Sequence, residues 1–263
     1  MIKTDPEVIR ELVDSNKRIH GRDFDKYRDI KIEPNVINLA EGSCHVKLGD
    51  TDVIVGVKFE TGTPYPDHHD EGSIMVGAEF VTFASSDFEP GPPSEKSIEV
   101  ARVVDRCIRE SKAIDFKKLC IKEGEKVWIV TIDIDIINAD GNLIDASCLA
   151  AMKALLNAKM PELDKDMNID RKRDRTKKLL VDKIAVNTTF VKIKDKILVD
   201  PTRLEEDAMD ASLTIGTFET MNGKENGICA MQKGGCGGFT PAEVEQIIDM
   251  AEAKGKELRA LIK

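Results

Sequence analysis

Arg102, Arg106 and Arg109 follow one another at steps of four and three residues, so a helix carrying them turns all three guanidinium groups to one face. Such a stripe can clamp the phosphates of a polynucleotide, by forked hydrogen bonds or by charge alone. The same spacing suits internal pairing, because Glu99 lies three residues before Arg102 and Glu110 four after Arg106. Pattern alone leaves both open. Asp133 and Asp135 alternate with Ile132, Ile134 and Ile136, which puts both carboxylates on one side of a strand. Paired carboxylates there can hold Mg²⁺ for phosphodiester chemistry; a half-buried strand with its polar face in water gives the same pattern.

Other candidates are weaker. Asp67, His68, His69, Asp70 and Glu71 set five possible metal ligands side by side, but adjacent residues rarely converge on one ion. A solvated loop tip fits better, with Tyr65 available to touch a partner or a base. The glycine-rich stretch at 234–238 precedes a helix and can cradle a phosphate. It matches neither the P-loop nor the dinucleotide fingerprint, and a flexible turn with an incidental Cys236 is simpler. Arg171, Lys172, Arg173, Arg175, Lys177 and Lys178 form one dense basic run without interleaved aromatics, which reads as a solvated linker before a nucleic-acid patch. Four histidines, two of them adjacent in a loop, supply general-base chemistry poorly.

The elements that must hold these residues are punctuated along the chain. Asp5 and Pro6 open a helix with Val8, Ile9, Leu12 and Val13 on its apolar stripe. Alternation over residues 44–60 predicts two strands joined at Gly49-Asp50, and residues 73–84 predict another. Ser94 caps a helix running to about residue 111, with Ile98, Ala101, Val104 and Ile108 at core spacing. A strand over 127–137 leads through an Asp140-Gly141 turn to a helix that Asp145 can cap. Four strands are predicted between residues 182 and 232. Thr240, Pro241 and Glu243 mark a capped C-terminal helix, with Phe239 placed to staple onto Val244. Strands and helices alternate irregularly, which favours a mixed α+β class.

The chain has 263 residues, 41% hydrophobic and 33% charged, enough for two domains with a real core. They are expected at 1–165 and 183–263, with a polar linker over 166–182. No run of about 18 apolar residues exists to span a membrane, and the N-terminus lacks the apolar core of a signal peptide. Six scattered cysteines without a C-x-x-C pair suggest reduced thiols in a cytoplasmic protein. The acidic excess of 48 over 39, for a net charge of −9, argues against a surface that grips nucleic acid all over.

Several of these segments together are familiar. Arg18-Ile19-His20-Gly21-Arg22 followed by Arg28 resembles the opening motif of RNase PH-like proteins, and residues 41–60 resemble that family's first hairpin. The segments 88–115, 127–155 and 198–216 match in the same order. The resemblance covers nearly the whole chain and is closest to the non-catalytic RNase PH-like subunit type of the archaeal exosome core, the segments at 88–93 and 101–106 being most telling. It implies two RNase PH-like domains, each a mixed sheet packed with helices.

Departures from the active pattern carry the functional expectation. Active members resemble one another in a D-G-G-T-R-T turn whose arginine and amides bind the attacking phosphate; here Asp140-Gly141-Asn142-Leu143-Ile144-Asp145 puts Ile144 in the arginine's place, removing charge and donors together. Their S-R-R-E motif is replaced by Ser94-Glu95-Lys96-Ser97, and their two carboxylates six residues apart by Glu206 and Ser212. Arg102 and Arg106 correspond to positions that contact RNA phosphates in the neighbouring subunit's cleft, and Arg109 is one turn further along. The resemblance thus implies a non-catalytic, RNA-binding subunit alternating with a catalytic sibling in a hexameric ring. RNA-binding cap subunits and single-stranded RNA are the other partners. It implies no cofactor for this chain, inorganic phosphate being used at the sibling's site. The alternatives are an active phosphate-dependent 3′-to-5′ exoribonuclease, with Asp133 and Asp135 holding Mg²⁺, and a pure scaffold whose arginines only pair internally.

Overall fold

A computed structural model describes residues 5–170, 175 and 177–263. Arg171, Lys172 and Arg173 of the basic run lie outside the described residues. The chain order begins with α1 (Pro6–Asp14), β1 (Ile30–Pro34), β2 (Gly42–Leu48), β3 (Thr51–Gly62), β4 (Ser73–Phe80), α2 (Glu95–Glu110), β5 (Cys120–Lys122), β6 (Lys126–Asn138) and α3 (Leu143–Asn157). Four short strands follow: β7 (Lys159–Met160), β8 (Glu162–Leu163), β9 (Ile169–Asp170) and β10 (Lys177–Lys178). The second half holds β11 (Lys183–Ile193), β12 (Lys196–Val199), α4 (Arg203–Ala208), β13 (Ala211–Thr220), β14 (Asn226–Gly234) and α5 (Pro241–Ile262).

The first sheet runs β1-β2-β3-β6-β4, with β5 on the end of β6. The β2–β3 hairpin at Gly49-Asp50 is antiparallel as expected. β4 departs from the hairpin pattern: it pairs with β6 in parallel, Ile74 opposite Val130 and Glu79 opposite Asp135. A parallel pair needs a long crossover, which α2 supplies. The second sheet, β12-β11-β13-β14, is antiparallel throughout. Together these are the α+β sheets packed with helices that the sequence led us to expect.

Sequence period decides which faces are covered. In β6, Val130, Ile132, Ile134 and Ile136 are buried, while Thr131, Asp133 and Asp135 point the other way. β11 is buried almost continuously from Ile184 to Val191, as a strand covered on both faces must be. One apolar cluster joins the two halves: Val104 and Ile108 of α2, Leu149 and Leu155 of α3, and Ile184 and Val186 of β11 share it with the first sheet. From the stretch read as a polar linker, β9 pairs back with β8 and β10 with β7, both of which precede it.

Two expected details change. Ile98 was expected on the core stripe of α2 but is 46% exposed; Val100, Ala101, Val104, Cys107 and Ile108 form the buried face instead. Asp145 does not cap α3. Asn142 does, in the left-handed conformation (φ 52°, ψ 44°), and Asp145 sits buried inside the first turn. Gly141 explains the tightness of that corner: its φ is +80°, and a Cβ there would lie 2.5 Å from the Arg203 amide nitrogen.

Candidate functional site

The arginine face is built on α2. Ser94 caps the helix by accepting the Ser97 N–H at 3.2 Å, and the buried stripe anchors it against β4 and β11. Arg102 is exposed, and among the described residues its side chain makes no hydrogen bond or ion pair. Arg106 donates from Nη1 to the Gln232 Oε1 of β14 at 2.9 Å, which aims the guanidinium and leaves it without a carboxylate. The two arginines share two shallow depressions on this face. Neither Glu99 nor Glu110 pairs with them among the described residues.

Arg109 is engaged differently. Its Nε and Nη2 donate to both oxygens of Asp105, at 3.1 and 2.8 Å, and Nη2 also reaches the Ile74 carbonyl at 3.1 Å. The guanidinium lies over the Phe116 ring, 5.6 Å from its centre. Hydrogen bonding to Asp105 raises its pKa further. Arg109 thus ties α2 to β4, with its charge largely neutralised, while Arg102 and Arg106 keep theirs.

A separate groove of about 770 Å³ lies between residues 78–97, the Asp140-Gly141 turn and α4. Its charged lining includes Lys96, Arg203 and Glu206. Arg203 is occupied by Ser85 Oγ at 3.0 Å and by Asp87. Burial pushes the Glu206 carboxyl up to about 7, against the Asn142 N–H it accepts at 2.7 Å. Ile144 packs against the main core, so no cation reaches the groove from that position. Ser212 stands at the start of β13 opposite Gly234, and is not among the groove's lining residues.

The remaining candidates resolve into local structure. His68 lies 3.8 and 3.4 Å from Asp67 and Glu71, His69 lies 3.7 Å from Glu123, and Asp70 pairs with Lys117 at 3.1 Å. Among the described residues no three His, Cys, Asp or Glu side chains are grouped to hold a metal ion. Burial, and then the charge of Glu79, raises the carboxyls of Asp133 and Asp135. The glycine-rich stretch is used for close packing: the Gly237 N–H bonds the Asp210 carbonyl at 2.7 Å, and a Cβ there would sit 2.8 Å from that oxygen.

The buried clasp that positions the 140–145 turn was invisible to pattern reading. Arg18 donates to both oxygens of Glu205, at 2.7 and 2.6 Å. Arg22 and Arg28 converge on Asp200, Arg28 by two bonds of 3.0 and 2.8 Å. Arg28 also donates to the Asp140 carbonyl at 2.7 Å. Asp145 accepts from Tyr27 Oη at 2.7 Å, and from the N–H and hydroxyl of Thr189 at 2.9 and 2.7 Å. Burial raises its carboxyl to about 6. The one local signal was Thr202 followed by Glu205, whose carboxylate accepts the Thr202 N–H at 2.9 Å.

With this geometry in hand, comparison with known proteins defines the class. The 3′ exoribonuclease family matches as domain 1 over residues 26–161 and as domain 2 over residues 183–254. The chain belongs to this RNase PH family. It is 45% identical over 258 residues to the exosome complex component Rrp42 of Methanothermobacter thermautotrophicus, covering 96% of this chain and 93% of that protein. It is 48% identical over 248 residues to the Rrp42 of Archaeoglobus fulgidus, covering 94% and 92%. Among solved structures, it superposes on a chain of the Archaeoglobus fulgidus exosome with RNA bound to the active site, with a TM-score of 0.90, 46% identity and coverage of 98% and 97%. An archaeal exosome core chain gives 0.84, 42%, 98% and 95%.

Proposed function

We propose that this chain is the Rrp42-type, non-catalytic subunit of an archaeal-type exosome ring, and that it holds RNA for a catalytic neighbour. In this reading three copies alternate with three catalytic siblings beneath RNA-binding caps. RNA is shortened from its 3′ end by inorganic phosphate at the sibling's site, without a cofactor on this chain. The observation that carries the non-catalytic part is Ile144, packed against the core where the active pattern has a phosphate-binding arginine. Glu95 and Ser212 point the same way. A groove whose arginine is bound to Asp87 and whose carboxyl is raised by burial is poorly supplied to hold an attacking phosphate.

Arg102 and Arg106 are the residues proposed to grip RNA phosphates, because their charges are uncompensated by carboxylates and α2 presents them together. Arg109, bound to Asp105, contributes less. The test is phosphate-dependent release of nucleoside diphosphates from oligo(A). It is run with this chain alone, with the sibling alone, and with the mixture. Turnover is expected from the mixture and none from this chain alone; turnover by the chain alone overturns the reading.

A further inference from the structure

A second cationic site lies away from α2. β10 pairs with β7 so that Lys178 stands directly opposite Lys159. Both lysines are exposed, as is Lys177, and among the described residues none of the three makes an ion pair. Like charges directly opposite on paired strands repel, and strands of two residues each have little else to offset that. The arrangement is nevertheless held firmly. The Lys159 N–H bonds the Glu41 carbonyl at 2.8 Å, and the Leu179 N–H bonds the Ala158 carbonyl at 2.9 Å. Arg175 donates to the Ala40 and Leu39 carbonyls at 2.7 and 3.0 Å and pairs with Glu41 at 3.3 Å.

These residues line a groove of about 620 Å³, where Asn35, Asn38 and Asn157 add amide groups to Lys159, Arg175 and Lys178. Among the described residues the only carboxylate in its lining, Glu41, is taken by Arg175. We infer that this groove binds the phosphate backbone of single-stranded RNA, as a second contact separate from the Arg102 and Arg106 face. The inference rests on the reading that this chain works on RNA. Ammonium groups as flexible point charges, with amide groups in the same lining, suit phosphate oxygens. Among the described residues no aromatic side chain lines the groove to stack a base, so contact there is independent of sequence. An acidic protein partner is the less favoured occupant, since lysine is depleted in protein–protein interfaces.

The experiment measures oligo(A) affinity of the reconstituted ring against salt, using RNA about 8 and about 30 nucleotides long. In Lys159→Ala plus Lys178→Ala, the slope of log affinity against log salt for the long RNA is expected to shrink by about 1.4, the value for two lost contacts on a single strand. The short RNA is expected to keep its slope, and Lys159→Arg plus Lys178→Arg to keep the slope for both. An unchanged slope for the long RNA in a ring that assembles normally overturns the inference. Weakened assembly of the ring or its caps, with RNA slopes unchanged, also overturns it and points to a protein partner. A parallel Arg102→Ala plus Arg106→Ala ring separates the two ideas. If it binds both RNAs normally, the proposed arginine contact falls, and the lysine groove is judged on its own arm.

Discussion

Arg18, Arg22 and Arg28 in the N-terminal loop and Arg102, Arg106 and Arg109 on α2 carry the same group into opposite circumstances. The first set is buried and paired: the side chains of Arg18 and Arg28 are 1% and 7% exposed and meet Glu205 and Asp200 at 2.6 and 2.8 Å. The second lies along a surface helix, where Arg102 has no partner among the described residues and Arg106 has only an amide. A guanidinium surrounded by carboxylates is committed to structure, because releasing it would leave buried charge unpaired. One on a capped helix, without a carboxylate, keeps its donors for a ligand. Arg109 lies between these extremes: it is on the exposed helix, yet closed by Asp105.

The largest effect expected from breaking this contrast is at Arg18. Arg18→Ala leaves Glu205 buried without its cation and is expected to destabilise the chain by about 3–5 kcal/mol in urea unfolding. A loss below about 1 kcal/mol would mean that the clasp is not structural. The same clasp sets a pH dependence. Burial alone would raise the Asp200 and Glu205 carboxyls, but hydrogen bonds and charge from Arg28 and Arg18 hold both below their ordinary values. A depressed carboxyl stabilises the native state above its unfolded pKa, so this contribution is present above about pH 4–5 and is lost as pH falls further.

Arg102→Ala plus Arg106→Ala comes next. Each lost charge-assisted bond is worth about 1.5–3 kcal/mol, so oligo(A) affinity of the assembled ring is expected to fall about tenfold or more per contact. Chain stability is expected to move by less than about 0.5 kcal/mol. A stability loss with unchanged affinity would reverse the comparison, making α2 the structural arginine cluster.

Glu206→Gln probes the groove that neither cluster serves. The folded carboxyl is raised to about 7, so ionising it costs stability as pH rises from its unfolded value towards and through that point. The variant is expected to be more stable than wild type by up to about 3 kcal/mol at pH 8, with no advantage near pH 4. Thermal melts at both pH values check this, and equal differences at the two would show that the carboxyl is not raised. The smallest effect is expected from Asp105→Asn, which frees Arg109. Ring affinity for oligo(A) is expected to rise about two- to threefold at low salt, an increment that added salt removes; a decrease would assign Arg109 and Asp105 to positioning alone.

Much of the scaffold was legible in the sequence because its signals are local. Ser94 and Thr240 cap α2 and α5 as expected, and isoleucine alternation marks the buried face of β6. The misreadings came from long-range pairing. Asp145 has the residue type of a cap, but Tyr27 and Thr189 reach it from distant parts of the chain and draw it inside the helix. Ile98 fits a helical stripe by spacing, yet the covered face of α2 is set by the elements packed against it, and Ile98 faces solvent.

By itself the sequence determined the family, the α+β class, the common face of Arg102, Arg106 and Arg109, and the loss of an arginine at Ile144. The class and the common face follow from period and spacing, which are properties of the chain; the family and the missing arginine follow from ordered motifs that resemble those of known proteins. Only the tertiary structure decided which arginines are spent. Glu205 and Asp200 lie more than a hundred residues beyond their partners, and an ion pair across that separation exists only once two halves of the chain share a core. Asp105 rather than Glu99 or Glu110 takes an arginine of α2, because geometry, and not spacing alone, selects among carboxylates three or four residues away.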